Sequence, residues 1–284
     1  MKNTKTQALI FVALILLVPL FARSQNWQVK RQIVDGALKC GYVDKSGKIV
    51  IDLKFGQAQD FIDGLAIVGE QALSPNSRSK KKVINTKGDY IINEEFDNAT
   101  NIGNGLVVVG MNNNRGDYSY GLLSKTGKIV VTMGEYADFK DPSEGLIVVR
   151  TAGNGLYGVI DYTGKVIIEP QNTYTFWNKF KFGVVVIEGV KRFQHGLMDK
   201  TGKVILDPLT HKIEIGGDFN KSKVALIKKE NRYGLMNSSG KILVEPIYSR
   251  NSGLTDDGIK LSRMDEKSNQ LVTDKFNGQG IKQK

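Results

Sequence analysis

A glycine-centred turn recurs six times along the chain, at Gly47, Gly88, Gly127, Gly164, Gly202 and Gly240, in steps of 41, 39, 37, 38 and 38 residues. The surrounding text is nearly constant. It reads CGYVDKSGKIVID from Cys40, YGLLSKTGKIVVT from Tyr120, YGVIDYTGKVIIEP from Tyr157, HGLMDKTGKVILDP from His195 and YGLMNSSGKILVEP from Tyr233, with a weaker copy, KKVINTKGDYIIN, from Lys81. A unit of about 40 residues cannot bury its own apolar face, so a repeat of this length marks an architecture in which small units stack on their neighbours.

Each copy reads as a hairpin. In the Tyr157 copy, Asp161 opens a type I turn, Tyr162 and Thr163 fill it, and Gly164 takes the left-handed position of a G1 bulge. A side chain there would cost about 1–2 kcal/mol, which accounts for glycine in all six copies. The register this predicts pairs Ile160 with Val166 and Val159 with Ile167, and sets Asp161 across from Lys165 as a cross-strand charge match. Val159, Ile160, Val166, Ile167 and Ile168 do not alternate with polar residues, so these strands are expected to be covered on both faces.

The hairpin is followed by a passage with a three-residue spacing, as in Phe55, Ala58, Phe61 and Gly64, or Tyr174, Trp177, Phe180 and Gly183. That period is not α-helical and fits a short 3₁₀ or extended passage. A third strand follows in each copy: GLAIV, GLVVV, GLIVV, GVVVI, KVALI and GIKLS. The expected fold is all-β: six stacked three-stranded antiparallel units of about 37–41 residues over 40–264, in an open capped array, with a closed β-propeller as the alternative. Residues 25–39 supply an extra capping strand. Residues 265–284 form a degenerate C-terminal cap, with Gly278 in its turn, or a flexible tail.

The first 24 residues stand apart from the repeats. Lys2 and Lys5 precede a 14-residue apolar run, Ala8–Phe21, and Ala22 and Ser24 place small residues at −3 and −1 of a cleavage site. The run is short against the ~20 residues a membrane span needs. It reads as a cleaved signal peptide, residues 1–24, and predicts an exported protein that is periplasmic, on the cell surface or secreted, with no stable span after processing. Removing Lys2, Lys5 and Arg23 takes the net charge from +11 to +8, which suits an anionic partner or simple solubility.

The repeated text resembles the WG-repeat family of bacterial β-rich repeats, defined by an aromatic–glycine pair followed by a D-x-x-G-K hairpin. The pair stands as Tyr120–Gly121, Tyr157–Gly158 and Tyr233–Gly234, and departs as Cys40–Gly41, Lys81–Lys82 and His195–Gly196; no copy has the tryptophan itself. The resemblance implies an interaction module and brings no catalytic residues with it.

Chemistry-bearing residues are few. His195 and Cys40 occupy the aromatic position of their copies, which points to packing, and His211 lies in a variable connection. There is no phosphate loop, and the turns lack the acidic residues of an EF-hand. No enzyme activity, metal or cofactor is therefore expected. The aromatic group Tyr174, Phe176, Trp177 and Phe180 reads as buried packing, with a sugar- or peptide-stacking platform as the sharper alternative. The functional lead is basic: Arg78, Lys80, Lys81, Lys82, Arg115, Arg150, Lys191, Arg192, Lys228, Lys229 and Arg232 all fall near the link from a third strand to the next hairpin. Stacking in one orientation would gather these links on one edge. Acids that end the hairpins, among them Glu94, Glu95 and Glu245, would balance part of that charge. The sequence thus predicts a non-catalytic binding protein of the cell envelope or exterior that engages protein or an anionic polymer such as a polysaccharide, nucleic acid excepted. A purely structural spacer is the alternative, and an enzyme with a loop-borne site a more distant one.

Overall fold

The computed structural model describes residues 27–70, 79–112, 117–176, 178–189 and 191–284. Residues 1–24, and with them the signal-peptide reading, lie outside the described residues. The described residues hold many strands and one short helix, and the strands are arranged as a series of antiparallel meanders taken in chain order. The first holds β1 (Gln28–Val34), β2 (Ala37–Val43) and β3 (Ile49–Phe55); the second holds β4 (Gln57–Ala58), β5 (Leu65–Gly69) and β6 (Lys81–Asn85). A seven-stranded sheet follows, with β7 (Asn98–Gly103), β8 (Leu106–Asn112), β9 (Tyr118–Ser124), β10 (Ile129–Phe139), β11 (Leu146–Thr151), β12 (Tyr157–Asp161) and β13 (Val166–Gln171). It is two layers joined through β10, which pairs with β9 from Ile129 and with β11 from Tyr136 onward. The fifth layer holds β14 (Thr175–Phe176), β15 (Val184–Glu188), β16 (His195–Asp199) and β17 (Val204–Leu206), and leads through the one-turn α1 (Pro208–His211) to the sixth. That layer holds β18 (Glu214–Ile215), β19 (Val224–Lys229), β20 (Arg232–Asn237) and β21 (Ile242–Tyr248), and the seventh holds β22 (Arg250–Asn251), β23 (Gly258–Met264) and β24 (Leu271–Asn277).

The layers are out of phase with the sequence repeats. A full layer takes its first two strands from one copy and its last two from the hairpin of the next, so six copies yield seven layers. The first is completed by β1, the predicted extra strand. The last is closed by a turn in which Gly280, not Gly278, has the left-handed φ of +77° and donates its N–H to the carbonyl of Asn277.

The hairpin turns form as predicted. Gly164 has φ +87°, and its N–H donates to the Asp161 carbonyl at 3.0 Å. Ile160 pairs with Val166, but a register shift then sets Val159 against Ile168 rather than Ile167. Asp161 does face Lys165 across the closing pair, its N–H donating to the Lys165 carbonyl at 2.9 Å, and the lysine charge adds to the lowering of the Asp161 pKa. The Asp161 carboxylate folds into the loop, where it accepts from the Thr163 N–H and Oγ1–H and from the Lys165 N–H at 2.6–3.0 Å. Asp44 and Asp199 do the same. These hydrogen bonds hold the three carboxyls below the usual carboxylate range: the Thr201 and Ser46 hydroxyls lead at Asp199 and Asp44, whereas at Asp161 burial opposes a still larger sum.

The register shift explains the glycine of the aromatic–glycine pair. Where the last strand bulges, its backbone folds over that residue, and a Cβ on Gly196 would stand 2.2 Å from the Leu206 carbonyl oxygen, or on Gly234 2.4 Å from that of Val244. In the second copy Lys82 stands at that position, where the hairpin's returning segment is irregular between its bridges at Tyr90 and Phe96.

The three-residue passage is extended, not 3₁₀. Ala58 pairs with Val68, and the passage ends in a two-residue loop in which Asp63 (φ +51°) and Gly64 (φ +82°) both lie in the left-handed region, the geometry that matches strand twist. Asn104–Gly105, Glu144–Gly145 and Phe182–Gly183 repeat it.

Six apolar clusters join the seven layers in series. Tyr42, Phe55 and Ala66 lie between the first and second, Ile67, Phe96 and Val109 between the second and third, and Leu122, Ile147 and Ile160 between the third and fourth. Val159, Ile168 and Phe180 come next, then Leu197, Ile215 and Phe219, then Leu235, Tyr248 and Phe276. Ile160 and Val159 thus serve opposite interfaces, as their unbroken apolar run predicts. Among the described residues no cluster joins the seventh layer to the first. The turn glycines mark the same order: a Cβ on Gly164 would stand 2.4 Å from the Val130 carbonyl oxygen of the layer before it, whereas one on Gly47, in the first layer, meets nothing within 4 Å.

Candidate binding edge

Because the strands of every layer alternate in direction, the links from second to third strand all lie at one end. The two-residue loops and the hairpin turns lie at the other. The predicted basic residues that fall among the described ones are therefore brought to one edge. Adjacent layers packed face to face are about 10 Å apart, so the links recur at roughly that interval. Arg78 and Arg115 lie outside the described residues.

Acids meet part of this charge. Lys80 is 2.7 Å from Asp97, Lys82 is 3.1 Å from Glu95 and Lys228 is 3.6 Å from Glu214. Lys82 also lies over the Tyr90 ring, 4.7 Å from its centroid, and the hydrogen bond it donates to the Glu95 carboxylate raises its pKa. The others are placed differently. Lys229 and Arg232 are exposed and directly opposite one another, closing a two-residue loop in which Glu230 and Asn231 have φ +48° and +62°. Like charges at a closing pair repel, and neither forms an ion pair among the described residues. Lys191 and Arg192 are exposed in the link before β16, with Arg192 5.8 Å from the centroid of the exposed Phe193 ring. Arg150 is half-buried at the end of β11.

Lys81 turns inward instead. Its Nζ donates to the Gln57 Oε1 and, at 3.1 Å, to Ser79 Oγ, and burial lowers its pKa. It lines a cavity of about 300 Å³ between the first two layers, together with Arg31, Cys40, Gln57 and Gln59. Sequence reasoning missed this cavity, because Arg31 and Gln57 belong to no repeated motif and are brought together only by packing. The lysine after the turn glycine in five of the six copies, Lys48, Lys128, Lys165, Lys203 and Lys241, is exposed at the opposite end.

The remaining candidates are structural. His195 is 1% exposed; its Nδ1 accepts from the Ile215 N–H at 2.9 Å and its Nε2 is 3.9 Å from Glu188. Burial holds its pKa below the ordinary value, against the opposing pull of Glu188 and Glu214. His211 is exposed and hydrogen-bonds within α1. Cys40 is buried, with its thiol 3.7 Å from the Gly56 carbonyl oxygen. Phe176 and Phe180 pack into the interface between the fourth and fifth layers, with Tyr174 against them, and so form no open platform; Trp177 lies outside the described residues.

The model of the family described as WG containing repeat matches residues 41–70, 83–114, 120–154, 157–171 and 233–250. No curated protein matches the chain. Among solved structures it is similar to a eukaryotic initiation factor, at 12% identity over 91% of this chain and 74% of that one, with a TM-score of 0.43. It is also similar to the β-propeller domain of the Trilobed protease from Pyrococcus furiosus, at 10% identity over 89% and 92% (TM-score 0.37). A third is AztD from Citrobacter koseri, at 11% identity over 90% and 78% (TM-score 0.36).

Proposed function

We propose that this chain, which belongs to the WG containing repeat family, is a non-catalytic binding protein that engages an anionic polymer along its link edge. The observation that carries this is the pair Lys229 and Arg232, two exposed cations held face to face across a loop without an ion pair among the described residues. Such a pair costs stability in the free protein and is relieved by an anion. Arg192 and Lys81 offer further cations on the same edge, at intervals set by the stacking. A long anionic chain that meets one link raises the effective concentration of its charges at the next. The N-terminal run and its small-residue cleavage site support export, with the binding exercised in the envelope or outside the cell.

The test is retention of the mature protein on immobilised heparin and on an acidic polysaccharide, as salt is raised. Lys229→Gln/Arg232→Gln should elute at lower salt than wild type, and Lys165→Gln/Lys203→Gln, at the opposite end, should not. Loss on the second variant alone would move the polymer to the other end. A wild type that never binds would leave the charge solubilising and the repeats a spacer.

A further inference from the structure

Resting on the anionic-polymer reading above, we infer that the cavity between the first and second layers is a subsite for one carboxylate-bearing sugar residue, of the uronate class, at one end of the edge. The lining sets it apart from the rest of the edge. Elsewhere the lysines near a hollow are matched by acids: the neighbouring recess beside Tyr90 holds Lys54, Lys80 and Lys82, but also Glu70 and Glu95. The cavity itself is lined by Arg31 and Lys81, and no carboxylate is among its described lining residues. Neither cation forms an ion pair among the described residues. Among the described residues, the Arg31 side chain donates to the Ala58 carbonyl, at 3.4 Å, and the Lys81 side chain to neutral groups, Gln57 Oε1 and Ser79 Oγ.

Two cations facing a shared hollow from adjacent layers are arranged for an anion. The guanidinium fork of Arg31 suits a planar carboxylate, and the ammonium of Lys81 can exchange its neutral acceptors for a charged one. The amides of Gln57 and Gln59 at the same mouth both donate and accept, which suits the hydroxyls of a sugar ring rather than an apolar acid. A volume of about 300 Å³ lies at the small end of ligand sites and admits a single small residue, not a long segment. The remainder of a polymer would then leave the cavity along the edge, past Lys80 toward the later links.

The test uses the mature full-length protein in two arms. Galacturonate is titrated by calorimetry, with galactose as the uncharged comparison, and polygalacturonate binding is measured in parallel. Wild type should bind galacturonate and not galactose. Arg31→Gln/Lys81→Gln should weaken galacturonate about tenfold or more, since both charge-assisted bonds to the carboxylate are lost. The single Arg31→Gln, which alters one exposed side chain, should show part of the loss and guards against a folding defect in the double variant. Lys229→Gln/Arg232→Gln should weaken polygalacturonate and leave galacturonate unchanged. If wild type binds polygalacturonate but not galacturonate, the subsite is refuted and the edge stands. If it binds galacturonate but not the polymer, the edge is refuted and the subsite stands. Binding that the Arg31 and Lys81 changes leave intact would overturn the subsite, and binding of neither ligand would overturn both.

Discussion

Replacing one turn glycine in the first layer and its equivalent in the fourth separates what the turn needs from what the stack needs. Gly47 and Gly164 have nearly the same backbone, φ +84° and +87°, and sit at the same point of the repeat. An alanine at either must hold a positive φ, at about 1–2 kcal/mol. At Gly47 that is the whole cost, because an added Cβ meets nothing within 4 Å. At Gly164 the same Cβ would lie 2.4 Å from the Val130 carbonyl oxygen, with Val130 Cγ1 at 3.1 Å. Backbone cannot rotate away as a side chain can, so the layers must part locally, at roughly the 1–3 kcal/mol typical of overpacking. Gly164→Ala should therefore lose about 2–5 kcal/mol and Gly47→Ala about 1–2. Urea denaturation followed by tyrosine and tryptophan fluorescence gives the two midpoints, compared at equal slope. Equal losses at the two positions would refute the claim that each later turn rests on the layer before it, whereas among the described residues the first layer has none before it.

Two further outcomes follow from the same structure and a third from the sequence. Gly234→Ala should cost about 1–3 kcal/mol, the overpacking part without the strain of a positive φ, since its Cβ would stand 2.4 Å from the Val244 carbonyl oxygen; a denaturation midpoint within error of wild type would contradict the account of the aromatic–glycine pair. His195 is buried with its pKa lowered, so the unfolded state binds the proton more readily. Stability carried by its neutral form is full above the unfolded value of about 6.5 and falls as pH drops below it. His195→Phe should flatten the pH dependence of the midpoint between pH 7.5 and 5.5, and an unchanged profile would show that His195 does not carry it. The exported protein should begin at Gln25 by mass spectrometry, and finding residues 1–24 on the mature chain would refute processing.

Much of the fold was legible because the physics that fixes it is local. A glycine that must take a positive φ, followed by strands apolar on both faces, predicts a hairpin in a stack without knowledge of any neighbour. What stayed hidden depends on the partner strand. The shift that sets Val159 against Ile168 comes from a bulge in β13, and nothing in Val159 itself announces it. The three-residue spacing of Phe55, Ala58 and Phe61 reflects one face of an extended passage packed between layers, a geometry that periodicity alone does not separate from 3₁₀. The edge was legible only as a list of cations. Their sorting into those met by acids, such as Lys80 and Lys82, and those left facing each other, such as Lys229 and Arg232, is a tertiary fact. The same holds for the cavity, whose two cations come from strands 50 residues apart in sequence, at Arg31 and Lys81.

Binding along the edge is tested most directly by chain length. Oligogalacturonates from one to about twelve residues are titrated against the mature protein at fixed low salt and again at higher salt. Each further link engaged adds its contact at high effective concentration, so affinity should climb with length, and the gain should shrink as salt screens the exposed cations beyond about 10 Å at 0.1 M. Affinity that is independent of length, or a length effect indifferent to salt, would contradict a polymer laid across successive layers.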